Sequence, residues 1–392
     1  MYYDYLIVGG GMTGDAAVQG IREVDPAGSI GMISAEQEPP YNRPPLSKGL
    51  WKGKPLDGIW RNTGQQGVDL HLGRRVVALD PAGKTVQDDR GQTIRYGKLL
   101  LATGGRPRRL PFGGEGVVYY RTLEDYRRLR RLADERRRFV VIGGGFIGAE
   151  VAAALAMNGR EVTMLFPEGG LGAALFPADL SRFVTNYYAE QGVDVRPGEM
   201  VSDIEQNGDG LYIVTTGSGA VLEADAVVAG IGIQPNVELA ESAGLEVDNG
   251  ILVDEHLLTS APDVYAAGDV ASFYSPILGK RLRVEHEDNA NTMGLAAGRN
   301  MAGLNEPYHH LPFFYSDLFD LGYEAVGELN PHLETVTHWE EPYRQGVIYY
   351  LSHGEVRGVL LWNTWGKVDV ARRLIAEPGL VSVSDLQGQT VL

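Results

Sequence analysis

The sequence predicts an α/β protein with two similar β/α domains and a smaller α+β domain at its C-terminal end. The first observation is a strand–glycine–helix unit that occurs twice, starting once at Tyr2 and once at Phe139. The second is that further landmarks of the two halves recur at a spacing of roughly 130 residues, which indicates two copies of one β/α unit. The third is a change of pattern after Pro312, where short alternating apolar stretches predict strands and a final helix.

Length, charge and cysteine content narrow the class of protein. At 392 residues the chain is too long for one ordinary core, so two or three domains are expected. The net charge of −16 disfavours nucleic acid as a partner, because phosphates would be repelled. No apolar run has the roughly 18 residues of a transmembrane helix and no signal peptide is recognisable, so we expect a cytoplasmic protein without a membrane span. The absence of cysteine excludes disulfides, thiolate metal sites and a dithiol redox centre.

The second β/α unit carries a nucleotide-binding pattern. The apolar strand that starts at Phe139 leads into a Gly-x-Gly-x-x-Gly sequence formed by Gly143, Gly145 and Gly148. In this pattern one glycine permits a tight turn, one lets a pyrophosphate approach the backbone, and one permits close helix–strand packing. The first N–H groups of the following helix bind the anion. Glu168 ends the next predicted strand, where an acid is expected for the ribose, so the unit is predicted to be a Rossmann-like dinucleotide-binding domain.

The first unit repeats the pattern with Gly9, Gly11 and Gly14, and Glu36 stands at the position of the ribose-binding acid. The elements expected around these residues are strands at 2–8 and 29–34 and a helix at 12–24. Two such patterns in one chain indicate two different nucleotides, held by two similar domains.

The remaining stretches define the predicted domain boundaries. Short strands expected at 250–253 and 264–269 begin no third glycine pattern, so we expect the chain to return and complete the first domain. We therefore expect a first domain at 1–117 and 236–308, a second at 118–235, and a C-terminal α+β domain at 309–392. The elements predicted in this last domain are strands at 335–339, 347–351 and 356–362, a helix at 368–376, and a frayed polar tail at 381–392.

Several motifs resemble those of one protein family. They are Tyr41-Asn42-Arg43-Pro44-Pro45-Leu46-Ser47-Lys48, Tyr265-Ala266-Ala267-Gly268-Asp269, Val284-Glu285-His286 and Tyr315-Ser316-Asp317. With the two glycine patterns they resemble the two-dinucleotide flavoprotein reductases, in the branch of ferredoxin/rubredoxin reductases and apoptosis-inducing factor, and look closest to apoptosis-inducing factor. The resemblance implies a glutathione-reductase-like arrangement, with FAD in the first copy and a nicotinamide nucleotide in the second. Because cysteine is absent, the disulfide reductases of the family do not provide the chemistry.

On the flavin side, we expect Glu36 to bind the adenosine ribose hydroxyls of FAD. Arg43 suits the pyrophosphate as a fixed bidentate donor, or is a surface arginine ordered by the prolines that follow it. The resemblance implies that Asp269 accepts a hydrogen bond from a ribityl hydroxyl, and an ordinary turn aspartate is the alternative. The other positions that the resemblance implies on this side are Thr103, Gly104, Glu285 and Tyr315.

Lys48, Glu150 and His286 are the candidate catalytic residues. The resemblance places Lys48 beside flavin N5, paired with Glu150, where the pair would hold the isoalloxazine for the arriving hydride. A plain ion pair between domains is the alternative. His286 is the candidate for contact with both flavin and nicotinamide, or is a structural histidine. A helix that begins close to it would direct its positive end towards the negative charge of the reduced flavin.

On the nicotinamide side, Glu168 is expected to select the nucleotide. A carboxylate accepts from the ribose 2′-OH and repels a 2′-phosphate, and no arginine lies within residues 161–181. NADH is therefore predicted to be preferred over NADPH. Phe146 either stacks near the nicotinamide or belongs to the core. The other positions implied on this side are Ile147, Gly232 and Glu324.

An arginine-rich stretch and a pair of histidines are two further features of the sequence. The seven arginines between Arg127 and Arg138 form a solvated helix face or a docking patch for an acidic electron carrier. His309 and His310 lack ligand partners at metal-binding spacing, so no metal site is expected.

These observations predict an FAD-dependent NADH oxidoreductase. Hydride would pass from NADH to the flavin, and electrons would pass on to an acceptor such as a quinone, oxygen, or a small iron protein such as ferredoxin or rubredoxin. One alternative is a redox-gated interaction protein of apoptosis-inducing-factor type, in which a long-lived NADH charge-transfer complex controls formation of a homodimer. A second is a dedicated ferredoxin/rubredoxin reductase component.

Overall fold

The computed structural model describes residues 1–377 and Gly379, so the predicted tail at 381–392 lies outside the described residues. The chain divides into two compact units. Unit 1 contains Met1–Arg43, Leu56–Arg106 and Gln234–Pro312. Unit 2 contains Pro44–Pro55, Pro107–Ile233 and the described residues from Phe313 onward.

The elements follow one another in this order. The helices are α1 (Met12–Val24), α2 (Leu123–Glu135), α3 (Phe146–Met157), α4 (Ala178–Glu190), α5 (Glu238–Ser242), α6 (Glu287–Met301) and α7 (Val368–Ala376). The strands are β1 (Tyr2–Val8), β2 (Ile30–Ser34), β3 (Val68–Leu72), β4 (Val76–Asp80), β5 (Thr85–Asp88), β6 (Thr93–Leu101), β7 (Gly105–Pro107), β8 (Val118–Tyr119), β9 (Arg138–Ile142), β10 (Glu161–Phe166), β11 (Asp194–Pro197), β12 (Val201–Gln206), β13 (Tyr212–Thr216), β14 (Val221–Ala224), β15 (Ala226–Ala229), β16 (Ile233–Pro235), β17 (Val247–Asp248), β18 (Gly250–Leu252), β19 (Val264–Ala266), β20 (Ala271–Ser275), β21 (Lys280–Leu282), β22 (Phe313–Leu318), β23 (Leu321–Gly327), β24 (Glu334–Glu341), β25 (Gln345–Ser352) and β26 (Glu355–Trp362).

Unit 1 is organised on a sheet in the order β3-β2-β1-β6-β5-β4, with β19 also pairing with β6. Strands β1, β2, β3, β6 and β19 run parallel, whereas β5 and β4 continue from β6 as an antiparallel meander. The centre of β1 is fully buried at Leu6 and Ile7, as expected for a parallel strand with both faces covered. Because β19 belongs to the last segment of this unit, the chain returns to the first sheet after it has passed through residues of unit 2.

Helices α1 and α6 of unit 1 pack at unusually short range. A Cβ atom added to Gly298 of α6 would lie 2.1 Å from the backbone oxygen of Ala17, and one added to Gly20 of α1 would lie 2.1 Å from that of Leu295. Real Cβ atoms do not approach a backbone oxygen this closely, so glycine is required on both helices. This contact fixes α1, which follows the first glycine pattern, against α6, which begins at Glu287.

The described residues of unit 2 form three sheets. A parallel five-stranded sheet has the order β11-β10-β9-β15-β8, and the meander β12-β13-β14 forms a separate antiparallel sheet. The C-terminal residues form an antiparallel sheet in the order β22-β23-β26-β25-β24, on which α7 packs. Strand β22 lies at the edge of this sheet.

Regular periodicity predicted many of these elements, and its failures have a physical cause. The helices at 12–24 and 368–376 are confirmed, as are the last three predicted strands, which are each slightly longer than expected. Strand β22 was not predicted because its sequence, Phe-Phe-Tyr-Ser-Asp-Leu, does not alternate between polar and apolar residues. Phe314 packs against the ring of Phe146, whereas Phe313 lies beneath the guanidinium of Arg372, so both faces of the strand are covered.

The contact between α1 and α6 can be tested with one methyl group. We expect Gly298→Ala to lower the free energy of unfolding by about 1–3 kcal/mol, because the added Cβ overlaps the backbone of α1. Gly58→Ala is the matched control, since Gly58 is exposed and a Cβ there would meet no described atom within 4 Å. Chemical denaturation of both variants measures the difference, and equal stabilities would contradict the packing described here.

Candidate cofactor and electron-transfer site

In unit 1 the first glycine pattern forms an open cradle at the start of α1. Gly9 has φ +128°, and a Cβ on it would lie 2.0 Å from the backbone oxygen of Ala102. Gly14 packs equally tightly, with its Cβ position 2.2 Å from the oxygen of Gly9. Gly11 is the N-cap of α1, and no described heavy atom lies within 4 Å of its Cβ position. Two glycines therefore close the turn, and the third leaves space in front of the free N–H groups of the helix, as a pyrophosphate requires.

The second pattern builds the same cradle in unit 2. Gly143 has φ +112°, and its Cβ position lies 2.3 Å from the backbone oxygen of Gly230. The Cβ position of Gly148 lies 2.0 Å from the oxygen of Gly143. At Gly145, the N-cap of α3, the described part of the chain again leaves the Cβ position clear to 4 Å. The residues present thus fit a second dinucleotide in the same way as the first.

The Glu36 side chain, which follows the end of β2, is bonded to two neighbouring side chains. Its carboxylate forms an ion pair with Arg43 and accepts a hydrogen bond from the Tyr41 hydroxyl at 2.6 Å. Burial opposes the charge of Arg43, but the Glu36 carboxylate outweighs it and raises the pKa of the guanidinium. The carboxylate of Asp269 adds to this attraction. The structure therefore brings three of the predicted flavin-side residues together within unit 1.

The acid that follows β10 is arranged differently. Glu168 lies two residues beyond the strand, and its side chain is exposed. Its backbone oxygen accepts a hydrogen bond from Gly198 N at 2.9 Å, which anchors the turn. An exposed carboxylate on an anchored turn is available to a ribose.

The most buried charged group among the predicted residues is the Glu150 carboxylate in unit 2. Glu150, in the first half of α3, is only 4% exposed, and Lys48 Nζ lies 2.7 Å from its Oε1. Two serine hydroxyls also donate to this carboxylate: Ser316 to Oε1 at 2.6 Å and Ser47 to Oε2 at 2.5 Å. Lys48 Nζ also lies 5.2 Å from the centre of the Tyr315 ring. Three separate parts of the chain therefore meet at Glu150.

The segment that carries Lys48 is held by Trp51. The indole N–H of Trp51 donates to the backbone oxygen of Leu46 at 2.9 Å and contacts the Tyr120 hydroxyl at 3.2 Å. The backbone oxygen of Trp51 accepts from Asn158 Nδ2 at 3.2 Å, and the guanidinium of Arg130 lies over its ring. These contacts explain why Pro44–Pro55 belongs to unit 2, although the chain on both sides of it belongs to unit 1.

The start of α6 brings together further predicted flavin-side residues in unit 1. His286 is the N-cap of this helix and is half-buried. The guanidinium of Arg283 connects Glu285 and Asp269. Its Nη1 lies 2.5 Å from the Glu285 carboxylate and donates at 3.1 Å to the backbone oxygen of the buried Asp269. The predicted position of a helix start beside His286 is confirmed.

The remaining predicted positions have local structural partners. Thr103 Oγ1 donates to the backbone oxygen of Asn236 at 2.8 Å, and Gly104 follows it in a left-handed conformation. Gly232 accepts at its backbone oxygen from Arg108 N at 2.9 Å. The half-buried Glu324 of β23 accepts from Gly366 N at 3.1 Å, and burial raises the pKa of its carboxyl group.

The aromatic position beside the second cradle is shared with the core. Phe146 and Ile147 are the first two residues of α3, and both are half-buried. Phe146 makes an edge contact with Phe314 at 5.5 Å between ring centres and also lies 6.5 Å from the ring of Tyr323. Its ring therefore packs against the C-terminal sheet while its backbone starts the helix of the cradle.

The basic run is largely neutralised by neighbouring acids. Glu124 lies within ion-pair distance of both Arg127 and Arg131, at 3.9 and 3.4 Å. Arg130 pairs with Asp134 at 3.1 Å, and the other pairs in this region are Arg137 with Glu161 and Arg138 with Asp225. In the described chain no cluster of three His, Asp or Glu side chains could hold a metal ion. No helix in the described residues is long and apolar enough to cross a membrane.

Sequence reasoning missed the residues that surround the predicted ones. Ser47 and Ser316 lie within the motifs that carried the family resemblance, but nothing in a single sequence shows that both point at Glu150. Trp51 offered a weak signal, because a large apolar residue in a proline-rich stretch needs a place to be buried. No signal in the sequence indicated Asn236, because its hydrogen-bond partner Thr103 is 133 residues away.

Fold and site together define a flavoprotein oxidoreductase with two dinucleotide cradles, and comparison with known proteins agrees. Residues 3–294 match the pyridine nucleotide-disulphide oxidoreductase family, and residues 297–342 and 337–377 match the C-terminal region of mitochondrion-associated apoptosis-inducing factor. The chain belongs to the pyridine nucleotide-disulphide oxidoreductase family. Its predicted fold class is thereby confirmed.

Individual relatives resemble the chain over nearly its whole length. "Apoptosis-inducing factor 1, mitochondrial" of Dictyostelium discoideum is 37% identical, across 95% of this chain and 78% of the relative. The ferredoxin–NAD(+) reductase component of the anthranilate 1,2-dioxygenase system of Burkholderia cepacia is 36% identical, across 99% of this chain and 97% of the relative. Putidaredoxin reductase in its covalent complex with putidaredoxin superimposes with a TM-score of 0.92 at 32% identity, covering 99% of this chain and 96% of that chain.

The protein is an FAD-dependent NAD(P)H oxidoreductase, and FAD and NAD(H) are its cofactors. Both glycine cradles fit a dinucleotide, as shown above by the clear space at Gly11 and Gly145. The disulphide chemistry in the family's name finds no counterpart in this chain, because it contains no cysteine.

The second cradle can be tested by filling the space at its middle glycine. We expect Gly145→Ala to weaken NADH binding at least about tenfold, because the methyl group occupies the space for the pyrophosphate, while unfolding stability changes by no more than about 1 kcal/mol. Gly208→Ala, in a turn of unit 2 that is also free of described neighbours within 4 Å, is the control. Titration with NADH and thermal melting give the two quantities, and unchanged binding would remove Gly145 from the site.

Proposed function

We propose that this chain accepts electrons from NADH and delivers them to a small iron protein. The observation that carries the proposal is the buried ion pair between Lys48 of the 44–55 segment and Glu150, which lies on α3 directly behind the second cradle. Such a pair is costly to bury unless it is used or fully satisfied, and here it adjoins a nucleotide site. The relatives named as ferredoxin reductases and the structural likeness to a putidaredoxin reductase support an iron protein as the acceptor.

In this proposal the two cradles have separate tasks. Residues 1–117 and 236–308 form the FAD domain, in which Gly9, Gly11 and Gly14 hold the pyrophosphate. Residues 118–235 form the NADH domain, in which Gly143, Gly145 and Gly148 do the same. Bound FAD and NADH supply the hydride transfer and the onward delivery of electrons. The remaining task of the protein is to orient both groups and to provide the electric field between them.

Side chains at the edges of the two cradles select the nucleotides. The Glu36 carboxylate, held by Arg43 and Tyr41, is oriented to accept from adenosine ribose hydroxyls of FAD. Glu168 is exposed beside the second cradle, where its carboxylate accepts from a ribose 2′-OH and repels a 2′-phosphate. NADH is therefore the preferred donor.

Lys48 acts as a fixed positive donor at the reacting end of the flavin. Glu150 and the Tyr315 ring hold its ammonium group in a largely buried position, with 14% of the side chain exposed. A preoriented cation in a site of low dielectric stabilises negative charge that develops nearby more strongly than it would in water. Within unit 1, the start of α6 has His286 as its N-cap, and the positive end of this helix suits the negative charge of a reduced flavin.

A redox-gated interaction protein remains the second candidate, favoured by the match of residues 297–377 to the C-terminal region of apoptosis-inducing factor. The two candidates differ in the step that follows reduction. A reductase reduced by NADH is reoxidised quickly by ferredoxin or rubredoxin, whereas an interaction protein is reoxidised slowly by every acceptor and forms a homodimer when NADH is added.

Stopped-flow spectroscopy with a panel of acceptors separates these two functions. Reoxidation by ferredoxin or rubredoxin faster than by quinone or oxygen supports the reductase. Slow reoxidation by all four, together with an NADH-dependent dimer in sedimentation velocity, would replace the reductase with the second candidate.

The role of Lys48 is tested by removing its charge. We expect Lys48→Met to slow flavin reduction by NADH about ten- to a hundredfold, because the variant lacks the fixed cation, while the FAD content of the purified protein is retained. Lys54→Met is the matched control, since Lys54 is an exposed lysine on the same segment. Equal reduction rates in the two variants would exclude Lys48 from the mechanism.

The role of Glu168 is tested by nucleotide preference. Glu168→Gln removes the charge that repels a 2′-phosphate, so we expect the ratio of kcat/KM for NADH over NADPH to fall about tenfold. Glu190→Gln, at the exposed end of α4, changes the same total charge away from the cradle and serves as the control. A preference for NADPH in the unaltered protein would contradict the assignment outright.

A further inference from the structure

The carboxylate of Glu150 receives more hydrogen bonds than the ion pair with Lys48 provides. Oε1 accepts from Lys48 Nζ at 2.7 Å and from Ser316 Oγ at 2.6 Å, and Oε2 accepts from Ser47 Oγ at 2.5 Å. Ser47 precedes Lys48 in the chain, so it belongs to the same segment. Ser316 belongs to β22 of the C-terminal sheet and is only 1% exposed. The C-terminal sheet thus contributes a buried donor of its own to the ion pair.

A second residue of this sheet lies behind Ser316. Tyr323, on the neighbouring strand β23, stands directly opposite Ser316 in the strand pairing. Burial, together with the nearby Glu150 carboxylate, raises the pKa of Tyr323 well above its ordinary value, so the phenol keeps its proton. Ser316 has one hydroxyl proton, and it donates that proton to Glu150.

The ring of Tyr323 is fixed by aromatic neighbours. It is stacked on Trp362 at 6.0 Å with an interplanar angle of 10°, and it meets the edge of Phe176 at 5.3 Å. Its strand is bonded to β22 on one side and β26 on the other. Strand β22, which carries Ser316, is therefore paired with a strand that is itself held inside the sheet.

The number of donors determines how freely the carboxylate can turn. With Lys48 as its only partner, the carboxylate could rotate about its terminal bond and the flexible lysine could follow it. With donors from the 44–55 segment and from β22 on different oxygens, both oxygens have assigned positions. The ammonium group of Lys48 then has one place in which its attraction to Oε1 is greatest.

We propose that Ser316 is a positioning residue, which holds the Glu150 carboxylate and through it the Lys48 ammonium group in the geometry used for hydride transfer. This inference rests on the proposed function of Lys48. It assigns to the C-terminal sheet a part in the reduction of the flavin by NADH, in addition to any contact that the sheet makes with an acceptor.

The first test measures flavin reduction by NADH in the holoenzyme as a function of NADH concentration. At saturating NADH we expect Ser316→Ala to be reduced about tenfold more slowly than the unaltered protein, with little change in the concentration of NADH needed for half-saturation. A weakened NADH site would instead raise that concentration.

A second variant keeps the hydrogen-bond donor. Ser316→Thr retains a hydroxyl group and should recover most of the rate that Ser316→Ala loses. A rate in Ser316→Thr as low as that in Ser316→Ala would contradict the role of the hydroxyl group.

A third readout does not depend on catalysis. Acetylation of Lys48 by acetic anhydride, followed by mass spectrometry in the absence of NADH, reports how firmly the ammonium group is held. We expect Lys48 to react several times faster in Ser316→Ala than in the unaltered protein, because the carboxylate that retains it has become mobile. Ser272→Ala, a buried serine of β20 in unit 1, is the matched control and should leave both the labelling and the reduction rate unchanged.

The outcomes separate this inference from the proposed function. If the unaltered protein is reduced quickly and Lys48→Met slowly, but Ser316→Ala matches the unaltered protein in rate and in Lys48 labelling, the positioning role is wrong and the function of Lys48 stands. If Lys48→Met is reduced as quickly as the unaltered protein, the proposed function of Lys48 fails whatever the serine variant does.

Discussion

A buried carboxylate must have its charge and its lone pairs satisfied, and in unit 2 this constraint acts at Glu150. The side chain lies on α3 behind the second cradle, where the residue is only 4% exposed. Lys48 compensates its charge, and Ser47 and Ser316 donate to its oxygens. Loss of any of these three partners would leave a buried oxygen without its hydrogen bond, and the desolvation of that oxygen would then be a large uncompensated cost. The 44–55 segment, α3 and β22 therefore have to be in place together before the site exists.

The two cradles depend on a second constraint, which is steric. Wherever a glycine Cβ would overlap a backbone oxygen, as at Gly9 and Gly143, only glycine permits the turn. Gly11 and Gly145 differ, because the described chain leaves the space beside them clear. The same sequence pattern thus contains glycines that the protein needs for its own packing and glycines that a ligand needs for access.

The C-terminal sheet shows why sequence periodicity stops short of the site. Its edge strand β22 is covered on both faces, so its residues do not alternate and it escaped prediction. The same strand carries Tyr315 and Ser316, which contact Lys48 and Glu150 respectively. The sheet therefore contacts the buried ion pair through β22, the strand that its sequence pattern did not predict.

The sequence by itself determined the two dinucleotide cradles, their order, the helix boundaries at 12–24 and 368–376, and the class of cofactor, because these follow from local spacing of glycines and apolar residues. It also named Lys48 and Glu150, through a resemblance of motifs. Only the tertiary structure decided what satisfies their buried charges, since Ser316 is 166 residues from Glu150 and Ser47 is 103 residues from it. Hydrogen-bond geometry between distant segments is set by how the elements pack, and no local pattern of residues records it.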